Sequence, residues 1–411
     1  ILRIVIQILR SFPALILALT ATFLFGLGTF AGTFAITLYT FAIMTKLTYE
    51  DASAADVKAY QALRAMGVSK YVAYIHGILP EIIPGFLTNA LYLLETNVRH
   101  SSILGYVGAG GIGLLLNEKI SWLEYDKVGT ILLMLFLTVC VIEYFSRYLA
   151  ALIRKERTIK KEQARLLLLF LAALFLICTF TLSLPDFSRT SPQTLRNMFA
   201  GFLQPDWSFF FSAEKDGLGY LLLETVCIAF IGTVIGAIVS APLAFLNTKR
   251  FVPAPVSFLF NLVIMVIRSV PFLVYGLIFI RVSGPGAFTG VLTLAVCSIG
   301  LLTKRFTEAL DALDPRPYHA LLAMGVRPLP AICHSVLPQL KPVFTSIILY
   351  RFDVNIREAS VLGLVGAGGI GAPLIFSMNQ YAWEKAGAIM LGLILLVWFI
   401  DMVSEKIGAG N

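Results

Sequence analysis

The second half of this 411-residue chain repeats the first at a constant offset of 258 residues, with no gap. Arg10-Ser11-Phe12-Pro13 aligns with Arg268-Ser269-Val270-Pro271, and Ala65-Met66-Gly67-Val68 with Ala323-Met324-Gly325-Val326. Gly108-Ala109-Gly110-Gly111-Ile112-Gly113 aligns with Gly366-Ala367-Gly368-Gly369-Ile370-Gly371. Between Tyr60 and Gly113, 27 of 54 positions are identical. Two unrelated apolar segments share Leu and Val by chance, but not Gly, Pro, Arg and Asn in register, so the chain is a duplication of one structural unit. The second copy starts near Leu166 and Ile1 corresponds to Leu259, so residues 166–258, a stretch of 93, have no equivalent in the first copy.

What kind of unit is repeated follows from its polarity. Hydrophobic residues make up 58% and charged residues 14%, with a mean hydropathy of +0.84, against about 25% charged in an ordinary soluble domain. A soluble enzyme is excluded. The formal charge of +8 is better judged by where the charges sit than by their sum, so nucleic acid is a poor candidate partner. Cys140, Cys178, Cys227, Cys297 and Cys333 lie mostly in apolar runs without CxxC spacing, which argues against a disulfide framework or a zinc site. No signal peptide is expected at the start of the sequence.

A spanning helix takes about 20 mostly apolar residues. The first copy offers four candidates, 1–25, 28–46, 85–107 and 128–150; the second offers six, 166–185, 217–247, 255–282, 286–303, 343–365 and 386–404. The expected architecture is an all-α membrane protein of two parallel repeats with about ten spans, or twelve if the first copy also has the missing 93 residues. Its parts are 1–153, a first repeat short of two spans, 154–165, a connector, and 166–411, a complete repeat. Six basic residues in the connector place it in the cytoplasm by the positive-inside rule. Counting spans from there puts the loop 186–216 outside, where Arg189, Arg196 and Lys215 meet four acids, Asp186, Asp206, Glu214 and Asp216. It also leaves the polar segments 47–84 and 304–342 on the cytoplasmic side, one per copy.

Each cytoplasmic segment is punctuated alike, with Gly67 and Gly325 thirteen positions before Pro80 and Pro338. A helix stopping at Gly, then a second stopping before Pro, makes a compact knob suited to docking in a partner's groove. His76 and His334 match across the repeat, but no Cys or carboxylate accompanies them at a ligand spacing, so a surface or packing role is expected and no metal site.

Charges inside a span are costly and normally face the bundle interior or a water-filled path. The span after each knob carries a stripe of them: Glu95, Asn97, Arg99 and His100 in the first copy, and Arg351, Asp353, Asn355, Arg357 and Glu358 in the second. Glu95 to Arg99 and Asp353 to Arg357 have the favourable i, i+4 order, so each can pair within its own helix. Arg351 has no acid four residues before it, since position 347 is Ile, and its counterpart is Leu93. If the helix enters the membrane near Pro342, Arg351 lies about 14 Å deep at 1.5 Å per residue, where it favours an anionic solute unless Glu358 or an acid elsewhere neutralises it. The glycine runs that follow, Gly108, Gly110, Gly111 and Gly113, and Gly366, Gly368, Gly369 and Gly371, lack the strand-then-helix context of a dinucleotide site. Close helix packing and a flexible gate are both open uses for them. Arg10 and Arg268, each in an Arg-Ser-x-Pro, are expected to snorkel from span ends.

The knob spacing resembles the EAA motif of ATP-binding-cassette importer permeases, whose coupling helix sits in a cleft of the ATPase subunit. Ala62, Gly67, Leu79 and Pro80, with Ala320, Gly325, Leu337 and Pro338, keep the pattern; Gln61 and His319 stand where the family usually has Glu, and Gly77 and Ser335 where it usually has an apolar residue. Together with the Asn-x-Arg stripe, Arg-Ser-x-Pro and the glycine run, the chain is similar to the permease of phosphonate-type importers, over nearly all of both copies. Methionine-importer permeases share the layout. The resemblance implies a type I importer transmembrane domain with two permease copies fused in one chain, in the cell membrane, with two ATPase subunits, an external substrate-binding protein and a small anionic organophosphorus solute. ATP and Mg then bind the partner subunits, since this chain has no Walker-type Gly-x-x-x-x-Gly-Lys-Ser/Thr. Alternating access is the implied mechanism, the knobs at 60–80 and 318–338 moving with the ATPases as the copies rock. A secondary transporter leaves the knobs without a purpose, a membrane scaffold leaves the charged stripe without one, and a membrane enzyme lacks a nucleophile or metal constellation.

Overall fold

The computed structural model describes residues 6, 9–153, 161–182, 192–212, 214 and 217–409. Most of the expected connector, 154–160, and the loop residues Asp186, Arg189, Lys215 and Asp216 lie outside the described residues. The chain divides into two compact units, Ile1–Ser191 and Pro192–Asn411. The helix Lys161–Phe180, expected to open the second repeat, falls within the first of these.

The first unit runs α1 (Ala14–Phe25), α2 (Thr29–Ala54), α3 (Lys58–Ala65), α4 (Lys70–Gly77), α5 (Leu79–Leu104), α6 (Ile112–Ser121), α7 (Tyr125–Ile153) and α8 (Lys161–Phe180). The second runs α9 (Pro192–Leu203), α10 (Trp207–Phe210), α11 (Leu218–Asn247), α12 (Ala254–Ser269), α13 (Phe272–Ser283), α14 (Ala287–Ala312), α15 (Arg316–Ala323), α16 (Pro328–Ala331), α17 (Leu337–Leu362), α18 (Gly371–Asn379) and α19 (Trp383–Ala409). The same packing order recurs in each. In the first, α2 packs on α1 and α5, and α5 on α7; in the second, α14 packs on α13 and α17, and α17 on α19.

The second unit adds α11, whose buried face is a column of small residues, Thr225, Ala229, Gly232, Thr233, Gly236, Ser240 and Ala244, at helical spacing. Small side chains let two spanning helices approach closely. A Cβ on Gly232 would lie 2.8 Å from the Cβ of Leu294 on α14. At the far end of the same pair Asn247 Nδ2 donates to Thr307 Oγ1 (3.2 Å) and the Thr248 hydroxyl to Asp311 Oδ1 (2.6 Å). Below them Ala244, Leu302, Phe306, Leu310, Val336 and Leu340 form a continuous core, with the Phe306 and Phe344 rings stacked at 3.9 Å.

By length and composition six described helices can cross a membrane, or eight if each bent pair is one span. Two of the ten expected spans are corrected in shape. The run 255–282 is not one straight helix but α12 and α13, bent by 85° at Val270-Pro271. The equivalent Phe12-Pro13 ends the helical turn before α1, so 1–25 is broken at the same place. Proline has no N–H to donate and forces its predecessor out of the helical region, and Val270 is extended at ψ 123°. The helix after each knob is longer than expected, beginning at Leu79 and Leu337 rather than at 85 and 343. Pro84 and Pro342 lie inside these helices without ending them.

Candidate solute path and coupling segments

The knobs are pairs of short helices. In the first unit α3 ends at Ala65 and Gly67 turns the chain with φ +81°, after which α4 is capped by Ser69, whose hydroxyl accepts from Val72 N. In the second α15 ends at Ala323 and Gly325 has the same φ of +81°. That left-handed conformation is open to glycine at little cost, and a Cβ added at either position would meet nothing within 4 Å among the described residues. The two knobs differ beyond that point. α4 stops at Gly77, and the next helix leaves at 53°; a Cβ on Gly77 would sit 2.8 Å from the backbone N of Tyr60, so α3 and α4 cross in contact there. In the second unit Ser335 replaces that glycine. Here the chain does not stop before Leu337-Pro338 as expected: α16 continues through a π-helical turn, Ile332–Val336, into α17. Within that turn the Ser335 hydroxyl donates to Ala331 O (2.6 Å), Gln339 Nε2 to Ser335 O (2.6 Å), and His334 Nδ1 to Pro330 O (2.8 Å).

Gln61, Ala62, Gly67 and Pro80 are exposed and Leu79 half-buried; His319, Ala320, Gly325, Leu337 and Pro338 are exposed. The projecting apolar groups are ones the sequence pattern did not single out. Met66 and Tyr71, and their equivalents Met324 and Leu329, are each at least 70% exposed.

The stripe on α5 and α17 is held by hydroxyls from the preceding helices. In the second unit Asn355, fully buried, donates from Nδ2 to Thr233 Oγ1 on α11 (2.7 Å) and Ser298 Oγ on α14 (2.9 Å). Arg351, also buried, donates from Nε to the same Ser298 Oγ (3.1 Å) and pairs through Nη2 with Glu358 Oε2 at 2.8 Å. Asp353 and Arg357 form a second ion pair. Of the two fates left open for Arg351 by the sequence, neutralisation by Glu358 is the one present. In the first unit Glu95 pairs with Arg99, and Asn97 Nδ2 donates to Thr40 Oγ1 at 2.8 Å. Thr40 and Ser298 are themselves 258 positions apart, so the asparagine-to-hydroxyl bond is part of the repeat; that shared offset was the signal that could have found them. The positions of Arg351 and Glu358 are Leu93, buried, and His100, which packs edge-on against Tyr39 at 5.2 Å. The Oδ1 atoms of Asn97 and Asn355 are both buried without a hydrogen-bond partner among the described residues.

The glycine runs close the ends of the two stripes farther from the knobs. Each begins with a short 3-10 turn, Gly105–Val107 or Gly363–Val365, and then reverses through glycines of positive φ, Gly108, Gly110 and Gly111, or Gly366, Gly368 and Gly369. The reversal is tied to the helix packed beside it: Gly28 N donates to Gly108 O (3.0 Å) and Gly286 N to Gly366 O (2.9 Å). Ile370 N donates to Thr225 Oγ1 of α11 at 3.0 Å, and a Cβ on Gly369 would lie 2.8 Å from that same oxygen. Gly113 and Gly371 pack against the carbonyls of Ser102 and Ser360. Of the two uses open from the sequence, close packing is the one this geometry displays.

The model of the family described as "binding-protein-dependent transport system inner membrane component" matches residues 1–159 and 232–407. The phosphate-import permease protein PhnE of Mycolicibacterium smegmatis is 28% identical over 410 residues, covering 98% of this chain and 76% of that protein. The phosphite transport system permease protein PtxC of Stutzerimonas stutzeri is 36% identical over 184 residues, 44% of this chain and 67% of its own length. Among solved structures, a chain of the MetNI methionine ABC transporter in an inward-facing conformation aligns with a TM-score of 0.43 and 18% identity, over 46% of this chain and 96% of that one.

Proposed function

Since the chain belongs to the family of binding-protein-dependent transport system inner membrane components, we propose that it is the permease of an ATP-driven importer of a small phosphorus oxyanion. It is a multi-pass membrane protein and the transport component rather than the hydrolysing one. Its two units supply two coupling segments, so it engages two ATPase subunits, which bind ATP and Mg, on one side and a substrate-binding protein on the other. Phosphate and phosphite, the solutes in the names of the two relatives, share a compact tetrahedral anion, as does the phosphonate group.

The observation that carries the reading is the pair of knobs. Each is an exposed two-helix projection with an apolar tip, Met66 and Tyr71 or Met324 and Leu329, rooted through one helix in a charged stripe that is half-buried in the first unit and largely buried in the second. A push on the knob therefore travels along α5 or α17 to Glu95, Asn97 and Arg99, or to Arg351, Asp353, Asn355 and Arg357. The solute path runs along these residues. Every arginine of the stripe holds a carboxylate, so a passing anion is stabilised only where it replaces one. Arg351 is the best placed, because Glu358 lies two turns away and Ser298 keeps the guanidinium oriented during an exchange. The glycine runs form the outer rim.

The test is co-purification with the ATPase subunits, then solute-stimulated ATP hydrolysis in proteoliposomes. Proline cannot adopt the φ of +81° at Gly67 and Gly325. Gly67→Pro with Gly325→Pro should abolish ATPase association while the chain still inserts, and undiminished association would refute the docking role.

A further inference from the structure

Residues 160–231 lie outside the family match, and within them α9 and α10 form a feature that transport as proposed above leaves unused. α9 buries Met198 and Gly201 against α19, where a Cβ on Gly387 would lie 2.7 Å from Gly201 O. Its opposite side carries Phe199 and Leu203, and the following segment adds Trp207 and Phe211. These four apolar residues recur every fourth position, and each is more than half exposed, Leu203 at 84% and Phe211 at 76%. The Trp207 and Phe211 rings stack at 6.1 Å, and Asp206 caps α10 by accepting from Ser208 N and Phe209 N. Arg196 is exposed one turn before Phe199.

The depth of this face is set by its neighbours. The C-terminal end of α11 is tied to α14 beside the knob, through Asn247 to Thr307 and Thr248 to Asp311. α10 packs at the opposite end, against the first turns of α11 and α19, where Asp206 N donates to Glu384 O. Tyr220 and Leu223 on α11 and Tyr381, which sits edge-on to Trp383, are exposed as well. Trp and Tyr concentrate at the headgroup level of a bilayer, and an amphipathic helix with aromatic residues on one side and a cation at its edge lies in that plane.

We propose that α9 and α10 form an interfacial anchor, with Phe199, Leu203, Trp207 and Phe211 inserted in the outer leaflet at headgroup depth and Arg196 on a lipid phosphate. α10 packs on two candidate spans, α11 and α19, and α11 exposes Tyr220 and Leu223 near its start, which favours lipid over a protein partner.

The experiment uses the full chain in lipid vesicles and reads the fluorescence lost on Trp207→Phe, an exposed conservative change that leaves Trp122, Trp383 and Trp398 in place. The Trp207 contribution should be blue-shifted, quenched more by lipids brominated near the headgroup than by lipids brominated near the bilayer centre, and shielded from aqueous iodide without any added protein. A red-shifted contribution open to iodide and untouched by brominated lipid overturns the anchor. So does shielding that develops only when the substrate-binding protein is added, which would make the face a protein-docking surface. As a second variant, Leu203→Cys labelled with a polarity-sensitive dye should report the same depth, and a water-like signal there would contradict the proposal.

Discussion

The two stripes are one design carried out to different extents. On α5, Asn97 donates to the Thr40 hydroxyl and Glu95 pairs with Arg99. On α17, Asn355 donates to two hydroxyls, those of Ser298 and Thr233, and a further charge pair, Arg351 with Glu358, occupies the places of Leu93 and His100. Of the elements present in both copies, the asparagine bond ties each helix to its neighbour, and the i, i+4 ion pair neutralises each stripe within its own helix. A second buried pair is not needed for that, since the first unit packs without it. Buried ion pairs stabilise little over an apolar pair of similar size, so the Arg351 pair calls for a reason beyond packing, and an anion path supplies one.

The largest expected effect comes from halving that pair. Arg351→Leu alone leaves the half-buried Glu358 without its cation and should cost about 3 kcal/mol, read as a drop in the thermal midpoint of the purified chain. Arg351→Leu with Glu358→His installs the first unit's residues and should restore most of that loss; a double variant as unstable as the single one would show that the two stripes are not interchangeable. Next is the asparagine. Asn355→Leu removes two buried hydrogen bonds and should destabilise by about 1–3 kcal/mol, and Asn97→Leu, which removes one, by less; equal losses would break the comparison. The smallest contrast lies at the knobs. Gly77→Ala should cost about 1–2 kcal/mol through overpacking against Tyr60, whereas Ser335→Ala loses one local hydroxyl bond worth about 1 kcal/mol or less.

Much of this was legible in the sequence because the chain states it twice. The offset located both knobs, and Gly67 and Gly325 mark where their first helices end. The i, i+4 order of Glu95 with Arg99 and of Asp353 with Arg357 foretold those pairs. Other features depend on direction or on distant chain. Apolar periodicity records that 255–282 is buried in a membrane but not that it turns through 85° at Pro271, although the proline itself was a warning. Leu-Pro reads as a helix stop in both copies, yet the chain breaks after Gly77 in the first and passes through a π turn at Ser335 in the second. Thr233 is 122 residues from Asn355, and only the packing of α11 brings it near. The exposed column from Phe199 to Phe211 was masked by reading its loop for charge alone.

The most direct test of the second stripe's role is oxyanion-stimulated ATP hydrolysis in proteoliposomes holding this chain, its ATPase subunits and its binding protein. The wild type is compared with the Arg351→Leu, Glu358→His double variant, using phosphate, phosphite and a phosphonate in turn. The double variant should assemble and keep its basal hydrolysis while losing stimulation by the solute that drives the wild type. Stimulation at the wild-type level would make the pair a structural ornament of the second unit and contradict its place in the path.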